Sequence, residues 1–189
     1  KGVRYNMDKN GSRRTKKRDK RINLVFDSTP LIYLAKVRIL DKVSKLKGEK
    51  YIPQSVYNEI AEGKKRGKED AFLIDDLINK SIFTIVEAKN RRFLDHLLEI
   101  ASMDYADAET LAIAKEIKGL AIVDDSHART IAEIEGIEFR GSIFILFSLC
   151  RNNAISKNQV KEYLDRMISF GWRCSTELYS AILNEIKNL

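Results

Sequence analysis

With 189 residues and a formal net charge of +7, the chain has room for one domain with a generous core, or one domain plus a small appendage, and is too short for two equal domains. Its two cysteines, Cys150 and Cys174, exclude a disulfide framework, and no Cys/His cluster has zinc-site spacing, so a reducing, cytoplasmic home is the simplest reading. The longest apolar run, Ile143 to Cys150, falls far short of the roughly 20 residues a membrane span needs, and the basic N-terminus leads into a strand-length run rather than a signal-peptide core.

Charge is unevenly spread along the chain. Residues 1 to 22 carry ten Lys/Arg against Asp8 and Asp19, a local +8 that leaves −1 for everything after them. Residues 1–21 read as a basic, apolar-poor arm that cannot bury enough surface to offset its ordering entropy. Arg13, Arg14, Lys16, Lys17 and Arg18 can engage RNA phosphates by counterion release; a solvated tail with no specific partner is the competing reading.

After the arm, strand-like runs near 22–27, 49–52, 82–86, 120–124 and 137–139 alternate with helix-like ones. That alternation predicts an α/β fold, a parallel sheet covered by helices. Pro30 to Val37 and Ile39 to Leu46 read as helical, with Pro30 at a favoured first-turn position and Gly48 near a stop. Pro53 to Ala61 predicts the next helix, closed near Gly63, and the charged, glycine-containing stretch Glu62 to Asp70 predicts an exposed loop. Ala71, Ile74, Leu77 and Ile78 then repeat at helical spacing, and a further helix from about Arg91 to Ser102 is predicted to bury Phe93, Leu94, Leu97 and Leu98. Beyond Gly141 the pattern is wholly helical, near 142–151, 156–169 and 175–187. Residues 22–140 therefore read as the α/β domain, and 141–189 as a helical extension packed on it.

Five acids fall where such a fold gathers side chains. Asp27 ends the apolar run Ile22 to Phe26, and Asp124–Asp125 end Leu120 to Val123 in the same way; Glu59 and Asp107 lie in helical stretches. In an open parallel sheet, ligands bind beyond the carboxyl ends of the strands, so acids about a hundred residues apart can share one site. Each has a plainer reading. Asp27 can cap the following helix, although Ser28 and Thr29 lie closer to Pro30 and can perform that task. Glu59, on the border of the face made by Val56 and Ile60, can reach solvent instead. Asp107 can merely complement a helix start capped by Asp104, yet it shares the inward face of Leu111 and Ala114, whereas Glu109 lines up nearer the edge and is the reserve. Asp124 and Asp125 are consecutive and diverge, so at most one points squarely at a metal; Ser126 can supply the helix cap there. His127 reads as a surface residue.

Clustered carboxylates raise one another's pKa unless a cation is present, and oxygen donors without Cys or paired His select Mg²⁺ or Mn²⁺ over zinc. Such a site can bind a scissile phosphate and activate water without a covalent protein nucleophile, so the implied reaction is hydrolysis.

The order and spacing of Asp27, Glu59, Asp107 and Asp125 resemble the PIN-domain ribonuclease family. The resemblance is carried by Val25-Phe26-Asp27-Ser28-Thr29-Pro30-Leu31-Ile32-Tyr33-Leu34, Ile52-Pro53-Gln54-Ser55-Val56-Tyr57-Asn58-Glu59-Ile60, Ala106-Asp107-Ala108-Glu109 and Ile122-Val123-Asp124-Asp125. Within that family the chain is most similar to a prokaryotic, toxin-like (VapC-like) branch with a helical C-terminal extension, here marked by Gly141-Ser142, Gly171-Trp172 and Glu177-Leu178-Tyr179. The resemblance implies a Rossmann-like three-layer α/β/α sandwich and Mg²⁺- or Mn²⁺-dependent endonucleolytic cleavage of single-stranded RNA. It also implies frequent dimerisation and, for toxins of type II toxin–antitoxin pairs, a small antitoxin covering the site. Asp27, Glu59, Asp107 and Asp125 match the catalytic, metal-binding acids, with Asp124, Glu109 and Ser28 accessory. The basic arm, the extension and Val123, where many relatives have Thr or Ser, depart from the usual toxin pattern.

Competing readings are a noncatalytic RNA-binding or scaffold protein of the same fold, and a phosphoryl-handling α/β domain. An aspartate-nucleophile phosphatase would want Asp where Thr29 stands, and a receiver would want its acidic pair near the first strand. Neither GxxxxGK[ST] nor GxGxxG is present.

Overall fold

The structure, a computed structural model, describes residues 22–101 and 103–189. The arm, with Arg13, Arg14, Lys16, Lys17 and Arg18, lies outside the described residues. Among the described residues, β1 (Leu24–Phe26), β2 (Lys50–Pro53), β3 (Thr84–Val86), β4 (Leu120–Ile122) and β5 (Phe139–Arg140) form a five-stranded sheet in the order β3-β2-β1-β4-β5. Every pairing is parallel, with Leu24 opposite Lys50 on one side and Leu120 on the other. These are the predicted strands with ends moved by one or two residues: β1, β3 and β4 are shorter than expected, and β2 and β5 start later and end one residue further on.

Strand alternation sends successive side chains to opposite faces, and two cores result. Leu24 and Phe26 of β1, with Leu120 and Ile122 of β4, meet Leu31 and Leu34 of α1 (Ser28–Lys36), Val56 of α2 (Gln54–Lys65) and Ile74 of α3 (Glu69–Asn79). Val25, Ala121 and Val123 face the other way, onto Leu94 and Leu97 of α4 (Arg91–Ala101), Leu111 of α5 (Tyr105–Glu116) and Ala128 of α6 (Ser126–Ile134). Each fully buried Leu, Ile or Phe contributes roughly 1.5–3 kcal/mol. Helices on both faces of a parallel sheet make a three-layer α/β/α sandwich.

The C-terminal helices α7 (Ser142–Arg151), α8 (Lys157–Ser169) and α9 (Thr176–Lys187) fall within a residue of the predicted ranges. Ile145, Leu146 and Leu149 of α7, Leu164 and Met167 of α8 and Ile182 of α9 join the same core as Phe26 and Leu31. Two local expectations change. Residues Leu40–Lys45 wind as a 3-10 helix, and α2 runs on to Lys65, reducing the expected loop to Arg66–Lys68. The ion pair from Lys64 to Asp75 of α3, at 2.5 Å, ties the lengthened end down. Among the described residues, no helix is long and apolar enough to cross a membrane.

The sheet order creates the site. From β1 the chain moves outward through β2 to β3, then crosses back through α4 and α5 to place β4 on the other side of β1. Where the winding direction reverses, the loops leaving β1 and β4 part, and a crevice opens beyond their carboxyl ends. Asp27 and Asp125 stand on those two loops.

Candidate functional site

Asp27 owes its position to the abrupt end of β1. Its N–H still bonds to the Ile122 carbonyl at 3.0 Å, extending the ladder by one step, and the chain then turns at once into α1. Asp27 is itself the N-cap of α1, with φ −74° and ψ 165°, and its carboxylate accepts from the Thr29 N–H at 3.3 Å. Ser28 and Thr29, expected as caps, lie inside the first turn because Asp27 is the single residue between strand end and helix start. Asp27 is 4% exposed. Burial, followed by the nearby Asp107 carboxylate, pushes its pKa up to about 7 against the opposing pull of the Ser28 and Thr29 N–H groups.

Asp125 repeats the arrangement at the end of β4. It caps α6, accepting on Oδ1 from the N–H groups of His127 at 2.8 Å and Ala128 at 2.9 Å. Ser126, expected to cap, is again inside the helix. Oδ1 takes both bonds, and the Asp125 side chain remains exposed and close enough to Asp107 to act on it.

Glu59 reaches the same crevice from the second turn of α2, and Asp107 from the first turn of α5. The pKa of Glu59 is raised by burial, with the Ser28 hydroxyl opposing and Asp104 reinforcing. That of half-buried Asp107 is pushed up to about 6 by burial, then by Asp125, Asp104 and Glu59, with His127 pulling it back. The fold thus brings Asp27, Glu59, Asp107 and Asp125 into one field of mutual repulsion. Among the described residues, no three Asp, Glu, His or Cys side chains are already gathered tightly enough to share an ion. The donor set, all carboxylate oxygen, has the chemistry of a hard-cation site.

Two residues join this field that sequence reading assigned elsewhere. Asp104 caps α5, accepting from the Ala106 N–H at 3.4 Å, and raises both Glu59 and Asp107. His127, read as a surface residue, is exposed but lies near enough to Asp107 to favour its ionised form. A cue existed for Asp104, one helical turn before Asp107; for His127 it lay in its place just after a strand-end acid.

Two further acids have a different environment. Glu109 is 2% exposed, not at an edge as its helical phase suggested. Its Oε2 accepts from the Ser55 N–H at 2.9 Å and the Ser55 hydroxyl at 2.5 Å, and its Oε1 from the Ala88 N–H at 3.3 Å. Pro53, at the N-cap of α2, offers no side-chain bond. Glu109 therefore caps α2 from across the crevice, and so fixes the helix of Glu59 relative to the helix of Asp107.

Asp124 is held still more fully. Its side chain is 7% exposed. Oδ1 accepts from Arg129 Nη2 at 3.2 Å and the Ser142 N–H at 2.9 Å; Oδ2 accepts from the Ser142 hydroxyl at 2.5 Å and from Trp172 Nε1 at 3.0 Å. The buried acids thus divide by their donors: Glu109 and Asp124 are amply supplied, whereas Asp27 and Asp107 face one another with few.

Comparison with known proteins agrees with this architecture. The family model DUF3368, described as a PIN domain, matches residues 23–188. No curated protein sequence matches the chain. Among solved structures, PAE2754 from Pyrobaculum aerophilum is similar in fold, with a TM-score of 0.52 at 15% sequence identity, covering 72% of this chain and 99% of its own.

Proposed function

The chain belongs to the PIN-domain family, and from that premise we propose that it is a metal-dependent endoribonuclease that hydrolyses phosphodiester bonds of single-stranded RNA in the cytoplasm. One observation carries this reading: four carboxylates from four separate elements approach one another at the switch point of the sheet, and burial and repulsion push Asp27 and Asp107 among them toward their protonated forms. Asp27, Glu59, Asp107 and Asp125 would hold Mg²⁺ or Mn²⁺. Such an ion, when bound, supplies a Lewis acid for the scissile phosphate and lowers the pKa of an attacking water. The residues of the chain perform the positioning. The start of α1 fixes Asp27, the Ser28 hydroxyl orients Glu59, Glu109 sets the separation of α2 from α5, and the cap of α6 directs Asp125. As macromolecular partners we assign a second copy of the chain and, for a toxin role, a small antitoxin covering the crevice.

The test is cleavage of an unstructured RNA by purified protein, with Mn²⁺ or with chelator, beside Asp107→Asn. Cleavage that chelator stops and the substitution reduces by about 100-fold or more supports the reading, since each 1.36 kcal/mol of lost transition-state stabilisation is tenfold in rate. RNA binding without cleavage by the parent would instead establish the noncatalytic alternative.

The arm supplies affinity in this reading. Deleting residues 1–21 is expected to weaken RNA binding and to reduce the slope of log K against log salt by about 3.5, the value for five phosphate contacts on a single strand. Titration of fluorescent RNA at several salt concentrations measures it, and an unchanged slope would assign the arm elsewhere.

A further inference from the structure

We infer that Trp172 is a positioning residue for the acidic site, through which the C-terminal helices hold the end of β4 that carries Asp125. The inference rests on the nuclease reading above and extends it to a residue 48 positions from its partner in sequence. Asp124 and Asp125 are adjacent, so whatever immobilises the first fixes the direction of the second. Donors to Asp124 arrive from three separate elements: Arg129 from α6, Ser142 from the start of α7, and Trp172 from just beyond α8. Arg129 also donates from Nε to the Val123 carbonyl at 2.9 Å, pinning the backbone on the other side of Asp124. The two residues between β4 and Asp125 are thereby clamped through both main chain and side chain.

Local sequence explains how the indole gets there. Helix α8 ends at Ser169 with Phe170 as its C-cap, and Gly171 adopts φ +95°, a conformation that side chains rarely tolerate. The Trp172 N–H then bonds back to the Met167 carbonyl at 3.0 Å, a helix stop that turns the ring inward, where it is 7% exposed. Gly141 provides the space. A Cβ there would lie 2.0 Å from Arg129 Nη2 and 2.6 Å from Asp124 Oδ1, so the clamp occupies the volume any other residue would fill. With no side-chain cap from Gly141, α7 takes its cap from Asp124. One carboxylate thus joins the strand end, the start of the extension and the indole beyond α8.

A purely structural tryptophan would change stability alone; a positioning one changes metal affinity in the folded protein. Trp172→Phe keeps an aromatic, though smaller, ring and removes the N–H. The experiment measures Mn²⁺ affinity by calorimetry and cleavage kinetics of full-length protein, at a temperature where circular dichroism shows parent and variant both folded. Weakening of Mn²⁺ binding by about tenfold, the lower end of what loss of an outer partner of a metal ligand costs because Trp172 acts on Asp125 through its neighbour Asp124, with kcat reduced by a similar factor and KM for RNA unchanged, is the expected result. Parent-like Mn²⁺ affinity and kcat in Trp172→Phe would overturn the inference and leave the nuclease reading intact. A parent that neither binds Mn²⁺ nor cleaves would sink both. Should Trp172→Phe fail to fold, Ser142→Ala, which removes a different donor to Asp124, takes its place with the same outcomes read the same way.

Discussion

Without divalent cation at pH 8, Asp27→Asn should melt roughly 5 °C above the parent protein while cleaving RNA about a thousandfold more slowly or worse. The two effects have one cause. Asp27 takes up its proton at about 7 in the folded protein, far above an unfolded aspartate, so the native state binds a proton more tightly than the unfolded chain through the interval between. Stability from this source is therefore fully present below about pH 4 and is lost as pH rises through 7. Asp107, pushed up to about 6, adds to the loss in the same direction. A shift of this size corresponds to about 4 kcal/mol at most; the amide that replaces the carboxyl is itself a buried polar group, which offsets part of the gain, and about half that figure, near 2 kcal/mol, fits the melting increment. Asparagine caps helices as well as aspartate does, so the start of α1 survives. The difference should narrow as pH falls to 5 and close near 4. Excess Mn²⁺ should raise the melting temperature of the parent and leave the variant unmoved. Thermal scans at pH 5 and 8, each with chelator or Mn²⁺, measure all of this. A variant that melts below the parent at pH 8 would mean that the Asp27 carboxylate is stabilised in the crevice, not strained there.

The same chemical change at Glu109 should act with the opposite sign. Glu109→Gln places an amide N–H₂ against either the Ser55 or the Ala88 N–H, so a buried donor faces a donor, and a loss of about 2 kcal/mol is expected. Glu109→Ala leaves the N–H groups of Ser55 and Ala88 and the Ser55 hydroxyl without this acceptor and should cost about 3 kcal/mol or more, read as a lower urea midpoint. Activity should fall in both variants, because α2 carries Glu59 and loses its only side-chain cap at that end. Equal midpoints for parent and Glu109→Gln would show that the strut across the crevice contributes nothing. Two buried acids, one stabilised by neutralisation and the other destabilised, separate a charge opposed by burial and repulsion from a charge satisfied by the protein's own donors.

Much of this was legible in the chain. Short apolar runs that stop at a carboxylate mark strand ends directly, so Asp27 and Asp125 could be placed at the mouth of a parallel sheet, and the spacing of the remaining elements predicted the α/β order. Periodicity failed for Glu109 because α5 is buried nearly all round, with Ala106, Ala108, Leu111, Ala112, Ile113 and Ala114 all inside; a helix without a wet face has no phase from which to infer an edge. Capping was misassigned at both strand ends for a shared reason. The pattern of residue types does not reveal how many residues separate strand from helix, and here the number is one at Asp27. The partners of Asp124 could not be read at all, since Arg129, Ser142 and Trp172 converge only through tertiary packing.

At Asp27 and Asp125, one carboxylate begins a helix and also faces the crevice, so alanine scanning would confound two losses there. Alanine removes charge and cap together, and a dead variant could simply be a frayed one. Asparagine separates the two, and the choice of replacement decides whether an inactive mutant reports on chemistry or on a helix that no longer starts in the right place.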